Sequence, residues 1–200
     1  DSEAPAEIVA LTGGGFAIVW EEGDDNAGPL SNTDDFYARA FSAAGAPLNA
    51  SLPIAGASAD ALFEDYFGGG LAALSDGGFV AGVGVRDGSS NFDSSVIQVF
   101  NANGTSRLAP FQPYLDINPD GSGKQDAPNL TAITGGGFAA AWSSGANTND
   151  GANNDVGSGD PFAFGGDAYC RIYDNAGAAL HATRRVTDSE PTGTNDDQAV

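Results

Sequence analysis

Residues 11–20 read Leu-Thr-Gly-Gly-Gly-Phe-Ala-Ile-Val-Trp, and this stretch decides the fold because the chain repeats it twice. The copies are Leu-Ser-Asp-Gly-Gly-Phe-Val-Ala-Gly-Val at 74–83 and Ile-Thr-Gly-Gly-Gly-Phe-Ala-Ala-Ala-Trp at 133–142. The repeat length is therefore about 60 residues, the size of one supersecondary unit that buries its apolar face only by stacking on its copies.

Two further patterns accompany these copies and divide each repeat into strands. Residues 35–45 alternate in polarity and end in an aromatic residue, three more residues and a glycine, and 94–104 and 167–177 repeat this arrangement. Alternation with a period of two indicates a strand, and the closing glycine indicates a turn with a left-handed residue. An Ala-Pro dipeptide, at 4–5 and again at 127–128, precedes the apolar run before two of the Gly-Gly-Phe strands.

Each repeat is therefore predicted to contain four antiparallel strands: the apolar run, the Gly-Gly-Phe strand, the alternating strand, and a strand after the second turn. The fourth strands are expected at 47–55, 105–115 and 178–186, and a short helix is expected at 57–67. The glycines before each phenylalanine predict a close approach of neighbouring backbones, such as occurs where propeller blades crowd towards an axis.

We predict an all-β fold in which antiparallel four-stranded repeats stack as β-propeller blades. The chain is expected to form a single repeat domain over 1–200, with three blade-like repeats at about 4–70, 71–127 and 128–200. Because propellers use about four to eight blades, three repeats predict either self-association or further repeats of the same parent chain.

The charge balance restricts the partners and the setting. The chain has 27 acidic and 7 basic residues and a formal net charge of -20, which argues against nucleic acid and anionic membrane surfaces as partners. An excess of solvated carboxylates favours an exterior that contains calcium or high salt. Cys170 is the single cysteine and so has no partner for an intrachain disulfide, and no apolar run is long enough for membrane insertion.

The segment between the second and third repeats has the spacing of a calcium loop. Asp116, Asn118 and Asp120 alternate and Gly121 follows them, so that three oxygen ligands lie on one side of a tight turn. The glutamate that completes an EF-hand is missing, since Ala127 stands at the twelfth position. The sequence therefore predicts calcium as the cofactor, at a loop that is not an EF-hand.

The third repeat matches this segment with Asp188 and Glu190, followed by a threonine in place of the third ligand. These two residues are therefore further candidate metal ligands. The alternative is the turn chemistry of a connection between blades, because proline and glycine also recur at matched positions and are the usual turn formers.

Long connections rich in Gly, Asn and Asp join the second and third strands at 21–34 and 143–166. Loops of this length are typically functional or disordered. Phe162 and Phe164 lie in the longer loop and are the candidate residues for stacking on a sugar, which makes glycans a candidate partner. Alternatively, both rings fold back and cover the edge of a blade.

No catalytic arrangement is indicated, and we expect a protein that is not an enzyme. His181 is the only histidine, and the chain has no Gly-x-Ser-x-Gly elbow for a serine nucleophile. One histidine and one cysteine are too few for a zinc site of the usual composition. Adjacent acids such as Glu21 and Glu22 leave a glycosidase-like propeller enzyme as an alternative.

The repeat form Leu-x-Asp-Gly-Gly-Phe-x-x-x-Trp followed by Arg-x-Phe-x-x-x-Gly resembles propeller-like repeats of large secreted bacterial surface proteins of the hemolysin-type calcium-binding class. The resemblance extends through all three units. The copy at 74–83 is nearest to this form, although Val83 replaces the tryptophan and Gln98 the arginine. Gly13 and Gly135 replace the aspartate in the other two copies, and the Gly-rich nonapeptide of that class is absent.

The resemblance implies a location outside the cell or at the bacterial cell surface, and a structural or adhesive role in a surface protein or filament. A carbohydrate-binding propeller module and a glycosidase-like propeller enzyme are the two alternatives. Glycan binding that is lost in Phe162→Ala with an intact fold would favour the first alternative, and turnover of glycosides would favour the second.

Calcium is expected to raise the melting temperature, because a ligand that binds only the folded state stabilises it. A thermal melt at fixed ionic strength, with calcium and with a chelator, measures the effect. The rise should be lost in Asp120→Ala, which removes a predicted ligand. An equal melting temperature with calcium and with chelator would contradict the predicted site.

Overall fold

A computed structural model describes residues 3–22, 35–54, 70–86, 93–115, 127–145 and 166–186. Within these ranges the chain forms strands and turns and no helix, which confirms the predicted all-β class. The strands are β1 Glu3–Ala10, β2 Phe16–Glu22, β3 Asp35–Phe41, β4 Leu52–Pro53, β5 Leu71–Ala73, β6 Phe79–Arg86, β7 Asp93–Phe100, β8 Asn129–Ala132, β9 Phe138–Gly145, β10 Gly166–Tyr173 and β11 Arg184–Arg185. The described part contains no helix of the length and hydropathy needed to cross a membrane. The helix expected at 57–67 lies outside the described residues.

The strands form three antiparallel sheets, each built from one repeat. Their strand orders are β1-β2-β3-β4, β5-β6-β7 and β8-β9-β10-β11, so that neighbours in the chain are neighbours in the sheet. In each central hairpin the phenylalanine that opens the second strand is paired with the aromatic residue that closes the third, as Phe16 with Phe41 and Phe138 with Tyr173. The two rings therefore lie on the same face of the sheet.

A glycine stands immediately before each of these phenylalanines because another backbone lies too close for a side chain. A Cβ atom at Gly15 would lie against the carbonyl oxygen of Phe41, and one at Gly137 against that of Tyr173. Both glycines also have positive φ angles, 103° and 87°, which side chains disfavour. The two backbones that approach each other belong to the same sheet, at the end of its third strand. The prediction that these glycines allow neighbouring blades to approach was therefore wrong.

The fourth strands are much shorter than predicted. The first and third sheets end in the two-residue strands β4 and β11, and in the second sheet the segment 105–115 makes only isolated bridges to β7. Pro47 and Pro53 lie in the first of these segments and Pro110 and Pro113 in the second, whereas the third segment is equally short without a proline. Proline has no N–H to donate to a ladder, and is tolerated in a sheet mainly at its edge.

An arginine side chain holds this fourth segment to the third strand in two of the sheets. Arg39 donates from Nε to the backbone carbonyl of Asn49 at 2.9 Å, and Arg171 donates from Nε to that of His181 at 3.1 Å. Each guanidinium also lies 5.7 Å from the centroid of the aromatic ring two residues on. The Arg-x-aromatic pattern therefore fixes the outer edge of the sheet, partly by cation–π contact.

Two hydrophobic cores join the three sheets face to face. The first core lies between the first and second sheets and contains Leu11, Ala17, Val19, Phe36, Ala38, Ala40, Ile54, Phe79, Ala81, Val83, Val96 and Phe100. The second core lies between the second and third sheets and contains Ala72, Leu74, Val80, Ile97, Val99, Tyr114, Phe138, Ala140, Trp142 and Tyr173. The second sheet is thus covered on both faces, which explains the nearly continuous apolar sequence of its central strands.

Replacing Gly15 by alanine should destabilise the protein, because the new Cβ meets the Phe41 carbonyl and the φ angle is positive. We expect a loss of about 1–3 kcal/mol in the free energy of unfolding, measured by denaturant titration. Gly13→Ala is the matched control in the same turn, since a Cβ there meets no described atom within 4 Å. Equal stability of the two variants would contradict the close approach.

Candidate functional site

Most residues singled out in the sequence lie outside the part of the chain that the structure describes. This holds for the predicted calcium ligands Asp116, Asn118, Asp120, Asp188 and Glu190, and for the candidate sugar-stacking residues Phe162 and Phe164. Among the described residues, no group of three or more His, Cys, Asp or Glu side chains could hold a metal ion. The candidate site that the structure does describe is formed by the faces of the sheets.

We call the face of each sheet that carries the Gly-Gly-Phe phenylalanine its front face, and the opposite face its back face. The front face of the second sheet packs on the back face of the first through the first core. The front face of the third sheet packs on the back face of the second through the second core. The front face of the first sheet and the back face of the third sheet belong to neither core.

The front face of the first sheet carries large side chains that are only partly covered. Its central residues are Phe16, Ile18, Trp20, Tyr37, Arg39 and Phe41 on β2 and β3, all of them half-buried. Ile8 on β1 is 66% exposed. At the equivalent positions of the other two sheets, the phenylalanines Phe79 and Phe138 are fully buried.

Aromatic rings are paired on this face as they are inside the cores. Phe16 stacks on Phe41 with centroids 4.9 Å apart, and Trp20 stacks on Tyr37 at 5.8 Å. The corresponding pairs of the other two sheets have the same arrangement, with centroid distances of 4.7 Å for Phe79 and Phe100, 4.9 Å for Phe138 and Tyr173, and 6.4 Å for Trp142 and the half-buried Tyr169. The front face of the first sheet is therefore already organised as a packing surface.

The back face of the third sheet carries small and aliphatic side chains. Ala139, Ala141, Cys170 and Ile172 on β9 and β10 are half-buried there. Val186, just after β11, is 59% exposed, whereas its equivalent in the first sheet, Ile54, is only 3% exposed and belongs to the first core. This face is thus the counterpart of two faces that are buried elsewhere in the molecule.

Contacts near the second turn lock each sheet to the next. The Asn49 side chain accepts from the N–H of Ala40 at 2.9 Å and donates to the carbonyl of Gly104 in the second sheet at 3.2 Å. At the next junction the equivalent residue Leu108 lies against Gly177 of the third sheet. At both junctions, therefore, equivalent residues of one repeat (Asn49 and Leu108) contact equivalent turn glycines of the next repeat (Gly104 and Gly177).

A polar network joins the second and third sheets at the rim. Arg107 donates to the Asp76 carboxylate at 2.7 Å, to Asn101 Oδ1 at 3.1 Å and to the backbone carbonyl of Asn175 at 2.5 Å. Asn175 in turn donates to Ser75 Oγ at 3.1 Å. Partial burial acts against the charge on Asp76, but the hydrogen bonds from Arg107 and from the N–H of Gly78, together with the arginine charge, leave the pKa of Asp76 lowered.

His181, the residue considered for catalysis, is exposed in the segment between β10 and β11. Its backbone carbonyl accepts from Arg171, and the position is the third-sheet equivalent of Asn49 and Leu108. The residues at this position in the first two repeats contact the following sheet. Sequence reasoning singled out the loops and missed the two faces, because their residues resemble the buried equivalents in the other repeats and only their exposure in the structure distinguishes them.

The sequence matches no protein-family model and no curated protein sequence.

The ion pair of Asp76 and Arg107 should make stability depend on pH in the acid range. Because the pKa of Asp76 is lower in the folded chain than in the unfolded chain, the pair contributes stability above about pH 3.9, which is lost as the pH falls through the lowered value. Asp76→Asn should therefore lower the melting temperature at pH 7 and have less effect at pH 3.

A double-mutant cycle separates the pair from other effects of substitution. Arg107→Leu is the natural partner variant, since leucine stands at the equivalent positions 48 and 180. We expect a coupling of about 0.2–1 kcal/mol at pH 7 from denaturant titration, because the Asp76 side chain is 37% exposed. A coupling that is the same at pH 3 and pH 7 would contradict the electrostatic interpretation.

Proposed function

We propose that this chain is a non-enzymatic structural or adhesive repeat module of a bacterial surface protein or filament, acting outside the cell. The observation that carries the proposal is that each sheet packs on the next through the same positions, once in the first core and again in the second. A molecule whose repeated residues serve mainly to join one repeat to the next is suited to building a larger assembly.

The contacts at one edge of the sheets support a propeller-like arrangement of blades. The first strands of successive sheets are neighbours, β1 beside β5 and β5 beside β8. There the N–H of Gly70 donates to the carbonyl of Pro128 at 3.1 Å, and the carboxylate of Glu7 accepts from the N–H of Leu71. Convergence at the first strands is the geometry expected where blades surround an axis.

Charge and sequence pattern support the setting. A net charge of -20 suits a solvated protein in a salt- or calcium-containing exterior and disfavours nucleic acid as a partner. The resemblance to repeats of large secreted bacterial surface proteins points to the same place. Calcium at Asp116, Asn118 and Asp120 would then add rigidity to the connection between the second and third repeats.

Carbohydrate binding is the second candidate, and the half-exposed aromatic pair of Trp20 and Tyr37 favours it, because such rings stack on sugars. The same rings at equivalent positions of the third sheet, Trp142 and Tyr169, contribute to the second core instead. Packing therefore accounts for these residues in the repeat as a whole, and the structural role is preferred.

A structural module of this kind should unfold as one cooperative unit, because the second sheet is shared by both cores. Trp20 in the first sheet and Trp142 in the third are the two tryptophans, so Trp20→Phe and Trp142→Phe each leave one local fluorescence probe. We expect both probes to report the transition midpoint that circular dichroism gives for the same variant. Separate midpoints for the first and third sheets would contradict a single cooperative stack of sheets.

The same preparations test the competing functions. We expect no turnover of glycosides and no glycan retained on an array. Retention of a glycan that is lost in Phe162→Ala, with the unfolding transition unchanged, would support the carbohydrate-binding module. Measurable hydrolysis would support the glycosidase-like enzyme and overturn the structural role.

A further inference from the structure

We propose that a second copy of this chain docks head to tail, with the front face of its first sheet on the back face of the third sheet. The inference rests on the proposed structural role and adds the partner, the two surfaces and the register. It follows from repeating, between molecules, an interface that the structure already contains twice.

The front face of the first sheet carries the same kinds of apolar side chain as the front faces in the two cores, but these side chains are more exposed. Ile8 is 66% exposed, whereas its equivalents Leu71 and Leu130 pack against the first and second cores. Phe16 and Phe41 are half-buried, whereas both residues of the equivalent pair in the second sheet are fully buried. Covering these side chains removes apolar surface from water, which favours burial of the face.

The back face of the third sheet is also less covered than its equivalents at several positions, although Ala168 and Ser143 at one end of it are buried. Ala139 is half-buried, whereas its equivalents Ala17 and Val80 are fully buried. Val186 is 59% exposed and its equivalent Ile54 is 3% exposed. The two faces are therefore complementary in kind, because rings on a front face meet mainly aliphatic residues on a back face in both existing cores, with Phe36 and Tyr114 as the aromatic exceptions.

Existing contacts fix which residues would meet. The third sheet lies so close to Gly82 of the second that a Cβ there would be 2.5 Å from Pro128 Cγ and 3.2 Å from Leu130 Cδ1, whereas the first sheet carries Val19 at the equivalent position. The equivalent of Leu130 on the free front face is Ile8, and the equivalent of Gly82 on the free back face is Ala141. Ile8 of one copy is therefore expected over Ala141 of the other.

The turn contacts give a second, independent register mark. Asn49 lies against Gly104 and Leu108 against Gly177, each from one repeat to the turn of the next. Continuing the series places His181 of one copy against Gly45 of the other. A Cβ at Gly45 meets no described atom within 4 Å, so there is space at that turn.

An arginine gives a third mark. Arg171 of the third sheet donates from Nη1 to the carbonyl of Pro113 in the second at 3.4 Å. Its equivalent on the free front face is Arg39, and the equivalent of Pro113 on the third sheet is Val186. Arg39 of one copy is therefore expected to donate to the Val186 carbonyl of the other.

The test is the oligomeric state of the full chain, measured by sedimentation velocity over a concentration series. Salt at 0.5 M or above is used, because chains with a net charge of -20 repel each other at low ionic strength. We expect dimers or longer head-to-tail species. A chain that stays monomeric over the whole series would overturn the proposal, while the cooperative unfolding that tests the structural role is measured separately.

Two single substitutions address the two faces. Ile8→Asp places a carboxylate on the front face and Val186→Asp places one on the back face, at side chains exposed enough for the fold to remain. Each should weaken association at least about tenfold, because an unpaired carboxylate is costly to bury. Ala44→Asp is the control, since it adds the same charge at a turn position that is exposed in all three repeats.

A mixture of the two variants distinguishes head-to-tail docking from other modes. Ile8→Asp retains an intact back face and Val186→Asp an intact front face, so an equimolar mixture should form a one-to-one dimer and nothing larger. Circular dichroism confirms that each variant is folded. Association of either variant that equals that of the control, or no dimer in the mixture, would overturn the assignment of the faces.

Discussion

The structure depends on the packing of aromatic rings of one sheet against mainly aliphatic side chains of the sheet before it. A three- or four-stranded sheet of this size has two faces and no helix among the described residues to cover either of them. Phe79 with Phe100, and Phe138 with Tyr173, close the gap to the preceding sheet in the two cores. Stability therefore resides between repeats more than within them, as is usual for proteins in which each unit contacts only its neighbours.

The sequence was sufficient to predict the strands that carry these rings. The Gly-Gly-Phe and Arg-x-aromatic patterns identify the central hairpin of each sheet, because a turn glycine and an alternating strand are local features. The fourth strands could not be predicted in the same way, since their pairing depends on prolines and on Arg39 and Arg171, whose side chains bond to the backbone of a neighbouring segment. The alternation of polar and apolar residues does not reveal which backbone carbonyl an arginine side chain will bond to.

The candidate site shows a similar division. Loops rich in Asp and Asn are easily identified as candidate sites in a sequence, because the residue types alone indicate oxygen ligands. A face is visible only when equivalent positions are compared, because Ile8 and Leu71 look alike as residues and differ in what covers them. Repetition supplies that comparison here without any related protein, since each sheet acts as a reference for the other two.

The short, interrupted fourth segment has a consequence for how such a protein can associate. A long, regular edge strand would offer a row of free N–H and C=O groups, on which another chain could add as a further strand. Here Pro47, Pro53 and Pro110 remove donors from the outer segments of the first and second sheets, and arginines occupy the carbonyls of Asn49 and His181 in the first and third. Edge-to-edge strand addition of the amyloid kind is thereby disfavoured, which leaves the faces, where side chains rather than backbone determine the partner, as the surfaces for the proposed contact between molecules.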